Sequence, residues 1–170
     1  MNRRFRGEYT FKVDAKGRVS IPAPFRRIIE AGDPDYTEGL RPQFVLVYGP
    51  ETQNFLEGYT IEEMQKLEDK IERLPHSDLR RRLVYEKITC SQHAEIDPDG
   101  RLVLSSALRD ELGLQPEAKI VGSMNTFRIF SPEAYEETKG ATSKSPGFGL
   151  PDDMDSLDAL DRVLDQRGMN

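Results

Sequence analysis

Short stretches in which apolar and polar residues alternate occur in pairs along the chain, and each pair flanks a tight turn. Tyr9, Phe11 and Val13 alternate with polar neighbours before the letters DAKGR, and Val19 and Ile21 alternate after the turn. A period of two is that of a half-buried β-strand. The segment therefore predicts two strands joined by a turn, that is, a β-hairpin.

The same pattern returns 83 residues later around the letters DPDGR. Ala94 and Ile96 precede this second turn, and Leu102 and Leu104 follow it. The matching positions are Val13 with Ile96, Asp14 with Asp97, Gly17 with Gly100, Arg18 with Arg101, Phe25 with Leu108, and Arg26 with Arg109. Because the flanks match as well as the turns, the chain contains two copies of one unit.

Each copy continues with a short helix and a second pair of strands. The letters PAPFRRIIEAG and SSALRDELGL predict the helices, and Ser105 and Gly113 are the expected caps at the start and end of the second one. The segments FVLVYG and NFLEGY predict the strand pair of the first copy, and KIVGS and TFRIF predict that of the second.

A capped helix closes each copy. Thr60 and Glu63 predict a capping box for a helix with one apolar face. The residues of that face are Ile61, Met64, Leu67 and Ile71. Ser131 followed by Pro132 predicts the start of the corresponding helix in the second copy.

One more helix is predicted between the copies. Pro75 interrupts the chain, and the letters SDLRRRLVYEKI then predict a helix with Leu79, Leu83 and Val84 facing inward. With the preceding helix it would form a helical hairpin. The predicted organisation is a first repeat with its terminal helix at 5–74, a connecting helix at 75–90, a second repeat at 91–138 and an acidic linker and tail at 139–170. The fold class expected from these elements is α+β, mainly β.

The tail differs in composition from the repeats. Residues 139–151 have the glycine, serine and proline content of a linker. Beyond them, Leu157, Leu160 and Leu164 recur at helical spacing, with acidic residues near the start, where the helix dipole favours negative charge. Two interpretations stay open: a marginal helix on a disordered tail, or a segment that binds a partner or regulates the protein itself.

The charge of the chain is unevenly distributed. The net charge is −6, yet residues 1–30 carry eight basic residues against three acidic ones, while residues 133–170 carry nine acidic residues against four basic ones. This asymmetry predicts a surface that faces a polyanion, together with a solvating or regulatory tail. No apolar run approaches the roughly 20 residues of a membrane-spanning helix, and no secretory signal is recognised. The single cysteine, Cys90, fits a reducing compartment, so a cytoplasmic protein is expected.

The repeated Asp-x-x-Gly-Arg segment admits a structural and a functional interpretation. Asp14 and Asp97 can accept hydrogen bonds from main-chain amides of their turns, and Gly17 and Gly100 can adopt positive φ. These residue types are therefore explained by the turn itself. Arg18 can pair with the turn aspartate, or it can face a phosphate or a guanine edge.

The middle residues of the two turns favour different interpretations. Lys16 lies in the middle of the first turn and adds a second cation there, which favours contact with nucleic acid. Pro98 and Asp99 occupy the middle of the second turn, which favours a structural role for that copy.

An enzyme is not predicted. The sequence has no G-x-S-x-G, Walker-type, H-E-x-x-H or Rossmann glycine motif. Asp14, Asp97 and Asp99 could supply a carboxylate pair, and Cys90 and His93 have the spacing of half a metal site, but no second ligand pair accompanies them. We expect Cys90 to be buried and His93 to lie in a strand, and we expect no cofactor, metal or small-molecule substrate.

The letters quoted from both copies resemble those of one known family. RRFRGEYTFKVDAKGRVSIPAPFR, the second segment DPDGRLVLSSALR and the helical connection are similar to the MraZ family of bacterial transcriptional regulators, which belongs to the AbrB-like swapped-hairpin group. The resemblance covers about residues 5–135. It implies two AbrB-like halves that form one intertwined, pseudo-two-fold swapped-hairpin β-barrel with connecting helices, whereas AbrB itself builds such a barrel from two chains.

The same resemblance implies a function and its partners. Members of the family form ring-shaped homo-oligomers and bind direct repeats in the promoter of the division and cell-wall gene cluster, which includes their own gene. Double-stranded promoter DNA and further copies of this chain are therefore the implied partners, and the cytoplasm, at the nucleoid, is the implied location. No membrane partner is implied.

Carried over by position, the Asp-x-x-x-Arg motif of the family falls on Asp14 and Arg18, and again on Asp97 and Arg101. The DNA-binding residues implied in this sequence are Lys16, Arg18, Arg3, Arg4, Arg6 and Arg101. Asp99 makes the second turn less basic, so the DNA contact of the second copy stays open. The alternative function is a structural or protein-interaction ring in which the Asp-x-x-x-Arg pairs only stabilise the turns.

Overall fold

The structure, a computed structural model, describes residues 4–144 and 155–168, with eight strands and six α-helices in these ranges. The strands are β1 (Glu8–Lys12), β2 (Arg18–Ser20), β3 (Gln43–Val47), β4 (Phe55–Thr60), β5 (Ser91–Glu95), β6 (Arg101–Val103), β7 (Glu117–Ser123) and β8 (Thr126–Phe130). The helices are α1 (Ala23–Ala31), α2 (Ile61–Glu72), α3 (Asp78–Leu83), α4 (Ser106–Leu112), α5 (Pro132–Lys144) and α6 (Ser156–Gln166). A π-helix, Val84–Thr89, follows α3 directly.

The strands of the two copies pair with each other. Six strands form an antiparallel sheet in the order β1-β7-β8-β4-β3-β5. Strands β2 and β6 form a separate antiparallel pair, which we call the ribbon. Exchanging the copies maps the order of the large sheet onto itself, because β1 corresponds to β5, β3 to β7 and β4 to β8. The protein therefore has a mixed α and β fold with a mostly antiparallel sheet, consistent with two repeats.

At two places, equivalent residues of the two copies face each other across paired strands. In the ribbon, Val19 faces Leu102, its own equivalent 83 residues later. In the large sheet, Glu57 faces Arg128, its equivalent at the offset of 71 that applies after the insertion in the first copy. Glu57 is buried, and its Oε2 lies 3.4 Å from Arg128 Nε, while its Oε1 lies 3.4 Å from Lys87 Nζ. Opposite charges thus meet at the centre of the sheet.

The turns are confirmed, but the prediction that the two strands flanking each turn pair with each other is wrong. Each turn closes locally, but β1 then pairs with β7, β5 pairs with β3, and β2 and β6 pair with each other. The strands themselves were identified correctly, because a half-buried strand alternates in the same way whichever strand lies beside it. Partner choice depends on where the apolar faces are buried, and alternation within one segment carries no information about that.

The main buried core lies between the sheet, the ribbon, α1 and α4. Aromatic rings pack at its centre, with centroid distances of 5.1 Å for Phe5–Phe25, 5.7 Å for Phe25–Phe127 and 5.9 Å for Phe44–Phe127. Such pairs add to the stabilisation that their buried area provides. The ribbon contributes Val19 and Leu102 to this core, and the side chains on its opposite face do not belong to the core.

Strand β3 is buried on both faces. Phe44 and Leu46 belong to the main core, whereas Val45 and Val47 pack with Met64 of α2 in a smaller cluster on the other face. A strand covered on both faces needs apolar residues at every position. This explains the unbroken run FVLV, and it confirms that the apolar face of α2 packs on the protein.

The predicted cap residues Thr60, Ser105 and Gly113 are confirmed, whereas the reciprocal half of the capping box is not observed among the described residues, where the Glu63 carboxylate binds Lys66. Thr60 Oγ1 accepts a hydrogen bond from the amide of Glu63 at 3.1 Å, and Ser105 Oγ accepts one from the amide of Leu108 at 3.3 Å. Gly113 ends α4 with a φ of 64°, in the left-handed region that favours glycine.

The helical connection between the copies is confirmed, but its predicted inward face is wrong at Leu79, which is 56% exposed. Helix α3 has six residues, none of them buried, and the chain then widens into the π-helix. There the amide of Cys90 donates to the carbonyl of Tyr85 at 2.9 Å. The wider turn changes which side chains face the protein, so that Ile88 reaches the smaller cluster.

The chain divides into two compact units, Met1–Tyr135 and Glu136–Asn170. The linker predicted from residue 139 is wrong at its start, because α5 continues through Lys144. The rest of the predicted linker, at 145–151, lies outside the described residues.

The helix predicted near the C-terminus is confirmed as α6. Asp155 caps it, because its Oδ1 accepts a hydrogen bond from the amide of Leu157 at 2.7 Å. Leu157 and Leu160 are exposed. Across residues 4–144 and 155–168, no helix combines the length and apolar character that crossing a membrane requires.

Candidate nucleic-acid interface

The side chain of Asp14 holds the first turn in shape. Its Oδ1 accepts hydrogen bonds from the amides of Lys16 and Arg18 at 3.0 and 2.9 Å. The amide of Gly17 donates to the main-chain carbonyl of Asp14 at 2.9 Å. Gly17 has a φ of 84°, which residues with a side chain rarely adopt. Asp14 and Gly17 therefore define the path of the main chain under Lys16.

Arg18 uses one of its three side-chain nitrogens to bind Asp14. Its Nε donates to Asp14 Oδ2 at 2.6 Å, and the two side chains are 37% and 38% exposed. In the part of the chain that the structure describes, the two terminal nitrogens of Arg18 have no hydrogen-bond partner. The pKa of Asp14 lies below its ordinary value, first because the amide of Arg18 donates to the carboxylate and further because the guanidinium lies beside it.

Replacing Asp14 with asparagine is expected to remove an acid-sensitive contribution to stability. Because the pKa of Asp14 is lowered in the folded chain, its carboxylate stabilises the fold above the ordinary value of 3.8, and this stabilisation is lost as the pH falls through the folded value. The difference in melting temperature between wild type and Asp14→Asn should therefore be largest near neutral pH and shrink below about pH 4. Thermal unfolding at several pH values measures it.

The matched control is Asp69→Asn, which changes an exposed aspartate on α2. A wild-type to Asp14→Asn difference that stays constant from neutral pH to about pH 3 would contradict the role given to the carboxylate.

Two side chains of the second copy brace the first turn. Arg109 Nη1 donates to the carbonyl of Ala15 at 3.2 Å, and Gln115 Nε2 donates to the carbonyl of Asp14 at 3.1 Å. Neither Arg109 nor Gln115 was predicted to be a site residue. One signal was present, because Arg109 matches Arg26 in the repeat, and an arginine shared by both copies next to a turn suggests a common structural use.

The second turn has the same main-chain geometry as the first. Asp97 Oδ1 accepts hydrogen bonds from the amides of Asp99 and Arg101, both at 2.9 Å, and Gly100 has a φ of 77°. Its arginine is used differently. Arg101 Nη2 donates to Asp99 Oδ2 at 2.9 Å, and Arg101 Nε lies 3.6 Å from Asp97 Oδ2.

The two turns differ in the sign of their charge. Lys16 of the first turn corresponds to Asp99 of the second. The ammonium group of Lys16 is exposed and has no partner among residues 4–144 and 155–168, whereas Asp99 neutralises Arg101. Counting the aspartate, the middle residue and the arginine, the first turn has one net positive charge and the second has one net negative charge. The first turn is therefore the better surface for an anion.

The ribbon separates the two turns. Arg18 faces Val103, and Ser20 faces Arg101, in the antiparallel register of β2 and β6. Because each turn immediately precedes its strand, and the strands run in opposite directions, the turns lie at opposite ends of the ribbon. They do not form one continuous basic patch.

Arg4 and Arg6 lie away from the first turn. The amide of Phe5 donates to the carbonyl of Met124 at 2.8 Å, next to the connection between β7 and β8. At about 3.3 Å per residue, the extended chain from Phe5 to the first turn spans roughly 25 Å. Arg4 and Arg6 flank Phe5, so they lie at the far end of β1. Arg3 lies outside the described residues.

Residues 4–144 and 155–168 contain no group of three or more His, Cys, Asp or Glu side chains that could hold a metal ion. Cys90 is buried and His93 lies in β5, as predicted. A cavity of about 490 Å³ beside Arg4 is lined by both signs of charge, including Glu63 and Lys66, which form an ion pair at 3.2 Å.

Comparison with known proteins identifies the family. The family model described as "MraZ protein" matches residues 4–86 and 89–147. A protein named transcriptional regulator MraZ from Ruegeria sp. (strain TM1040) is 45% identical over 163 residues, which is 95% of this chain and 97% of the relative. Proteins of the same name from Ruegeria pomeroyi and Cereibacter sphaeroides are 41% and 44% identical, over 95% and 94% of this chain and 97% and 96% of theirs. These relatives are named as regulators and not as enzymes, and the chain belongs to the MraZ family.

Proposed function

We propose that this protein is a sequence-specific DNA-binding regulator of transcription that contacts promoter DNA through its first turn. The observation that carries the proposal is the exposed ammonium of Lys16 on the same turn as the two terminal nitrogens of Arg18, which have no partner among the described residues. Arg109 and Gln115 brace this turn. Cations held on a rigid support can bind a phosphate or a guanine edge at a small ordering cost. The name that the relatives carry supports the proposal.

The proposal includes a ring-shaped homo-oligomer that binds direct repeats in the promoter of the division and cell-wall gene cluster, upstream of its own gene. One turn binds DNA weakly, because each neutralised phosphate contributes a modest and salt-sensitive term. Several turns on one assembly gain affinity through effective concentration. A net charge of −6 is compatible with this mechanism, because the DNA meets the basic turns and not the average charge.

The proposed architecture is one pseudo-two-fold swapped-hairpin β-barrel. It comprises the repeats at 5–74 and 91–138, which the connecting segment at 75–90 joins. Pairing between the copies supports it, since β1 pairs with β7, β5 with β3 and β2 with β6. The protein would act in the cytoplasm, at the nucleoid, with DNA and further copies of itself as partners and without a cofactor.

Footprinting on the DNA upstream of the protein's own gene, with sizing of the protein in parallel, tests the proposal. We expect protection of short boxes repeated in one orientation, and a protein that is larger than a monomer. A lack of any protected site at low salt would contradict DNA binding, and a monomer that protects a single box would contradict the ring.

For each turn that contacts a box, replacing Lys16 with alanine is expected to weaken binding about threefold to tenfold and to reduce the slope of log affinity against log salt by about one. The reason is the loss of one phosphate contact per turn, from an ammonium group that makes no hydrogen bond or ion pair within the described part of the protein. Titrations at several salt concentrations measure both quantities. Lys139→Ala, an exposed lysine on α5, is the control, and an unchanged slope for Lys16→Ala would exclude Lys16 from the contact.

A second candidate function is favoured by the ion pair between Arg18 and Asp14. Its Nε–Oδ2 distance of 2.6 Å suits a purely structural clasp of the turn. In that case the protein is a structural or protein-interaction ring, and mobility shifts on its own upstream DNA show nothing specific. Substitution of Arg18 would then lower the melting temperature or change the size of the assembly.

A further inference from the structure

The outer face of the ribbon carries four side chains on a supported surface. Val19 and Leu102 point into the core and are 0% and 2% exposed. Because side chains alternate along a strand, Arg18 and Ser20 of β2 and Arg101 and Val103 of β6 lie on the opposite face. Val103 is 57% exposed, although it is apolar and faces Arg18 directly.

The ribbon has dimensions that fit the major groove of DNA. Main-chain hydrogen bonds extend its ladder at both ends, from the amide of Leu104 to the carbonyl of Gly17 at 2.8 Å and from the amide of Ile21 to the carbonyl of Gly100 at 3.0 Å. The ladder is thus about 14 Å long, and its two strands lie about 5 Å apart. A major groove about 12 Å wide admits such a two-stranded ribbon.

The ribbon is symmetric in its main chain and asymmetric in its side chains. The repeat relation centred on Val19 and Leu102 places Arg101 where Arg18 lies, so both halves present an arginine. The partners across the ladder differ, because Val103 corresponds to Ser20. One half therefore pairs an arginine with an apolar contact, and the other pairs an arginine with a hydroxyl.

These chemistries correspond to different base edges. An arginine with free terminal nitrogens matches the O6 and N7 acceptors of guanine, whereas an exposed aliphatic group matches the C5-methyl of thymine. We propose, on the basis of the proposed function, that the outer face of the ribbon reads bases and that Val103 contacts a thymine methyl next to the base contacted by Arg18. Because Ser20 replaces the valine in the other half, the protein reads its box in one direction.

A uracil scan tests this contact. Uracil lacks only the C5-methyl of thymine, so replacing the thymines of a footprinted box one at a time removes single methyl groups and keeps the base pairing. Binding of these duplexes is measured for the full-length wild type and for Val103→Ala. Leu40→Ala is the matched control, because Leu40 is also 57% exposed and lies in the loop between α1 and β3.

For wild type, uracil at one position of the box should weaken binding about fourfold, as expected for one buried methyl group. Val103→Ala should bind the thymine and uracil duplexes at that position equally, while Leu40→Ala behaves like wild type. Melting temperatures of both variants should stay close to wild type, because the side chains are exposed.

Suppose that wild type protects specific boxes. If no position is then sensitive to uracil, or if Val103→Ala keeps the same sensitivity as wild type, the proposal is overturned, while the proposed function is not contradicted. If wild type protects no box at all, the result contradicts the proposed function, and the proposed contact between Val103 and a thymine methyl group is contradicted as well.

Discussion

Replacing Arg18 with alanine is expected to weaken binding to the promoter boxes about tenfold to a hundredfold and to relax the preference at one base pair. The side chain has two terminal nitrogens without partners in the described residues and a Nε that Asp14 holds in place. A guanidinium oriented in this way is suited to bidentate contact with guanine or phosphate. Quantitative mobility shifts on wild-type and single-base variant boxes measure both effects.

The stability of Arg18→Ala should be close to that of wild type. The pair between Arg18 and Asp14 is partly exposed on both sides, and solvent screening makes the contribution of such pairs to stability small. Sizing should show an unchanged assembly. A large fall in melting temperature or a smaller assembly, with unaltered affinity for DNA, would instead favour the structural ring.

Arg101→Ala is the matched control for Arg18→Ala. Arg101 occupies the equivalent position, but Asp99 binds one of its terminal nitrogens at 2.9 Å, so it is less available to DNA. Its substitution should weaken binding clearly less than that of Arg18. Equal losses for the two variants would contradict the asymmetry of the turns.

Replacing Gly17 with alanine is expected to lower the free energy of unfolding by about 3 kcal/mol. The φ of 84° strains any residue with a Cβ, and this Cβ would overlap the carbonyl oxygen of Leu104. The clash would also disturb the hydrogen bond from the Leu104 amide to the Gly17 carbonyl, so one end of the ribbon would open. Chemical denaturation at equilibrium measures the effect.

Gly39→Ala separates the strain of a positive φ from the overlap of the added Cβ with neighbouring atoms. Gly39 also has a positive φ, 93°, but a Cβ there meets no atom within 4 Å. Alanine at this position should cost only about 1 kcal/mol, from the backbone conformation alone. If the two variants lose the same stability, the close approach of Leu104 to the first turn is not important for the fold.

The elements of this fold follow from the sequence much better than their pairing does. Alternation located every strand around the two turns, and Thr60 and Ser105 located two helix starts, because these signals act within a few residues. That β1 pairs with β7 and β2 with β6 depends on contacts about 80 to 110 residues apart. The prediction that Leu79 faces inward was wrong because α3 buries none of its six residues, which the spacing of apolar residues within the segment does not reveal.

For the candidate site, too, the residues that act within the turn could be predicted from the sequence, and those that reach it from the other copy could not. Asp14, Gly17 and Arg18 were found because the turn chemistry lies within five consecutive residues. The braces from Arg109 and Gln115 were missed, because they reach the turn from the other copy, 94 and 101 residues along the chain. No local sequence pattern predicts a hydrogen bond to a main-chain carbonyl at that separation along the chain.

The pair of Glu57 and Arg128 at the centre of the sheet has a consequence for how the two halves recognise each other. In a homodimer of two identical halves, the residue on the two-fold axis faces its own copy, so a buried acid would meet an acid and a buried base would meet a base. Joining two unlike halves in one chain allows an acid to meet a base there, at 3.4 Å. Expressed as separate chains, the halves should therefore form the heterodimer in preference to either homodimer.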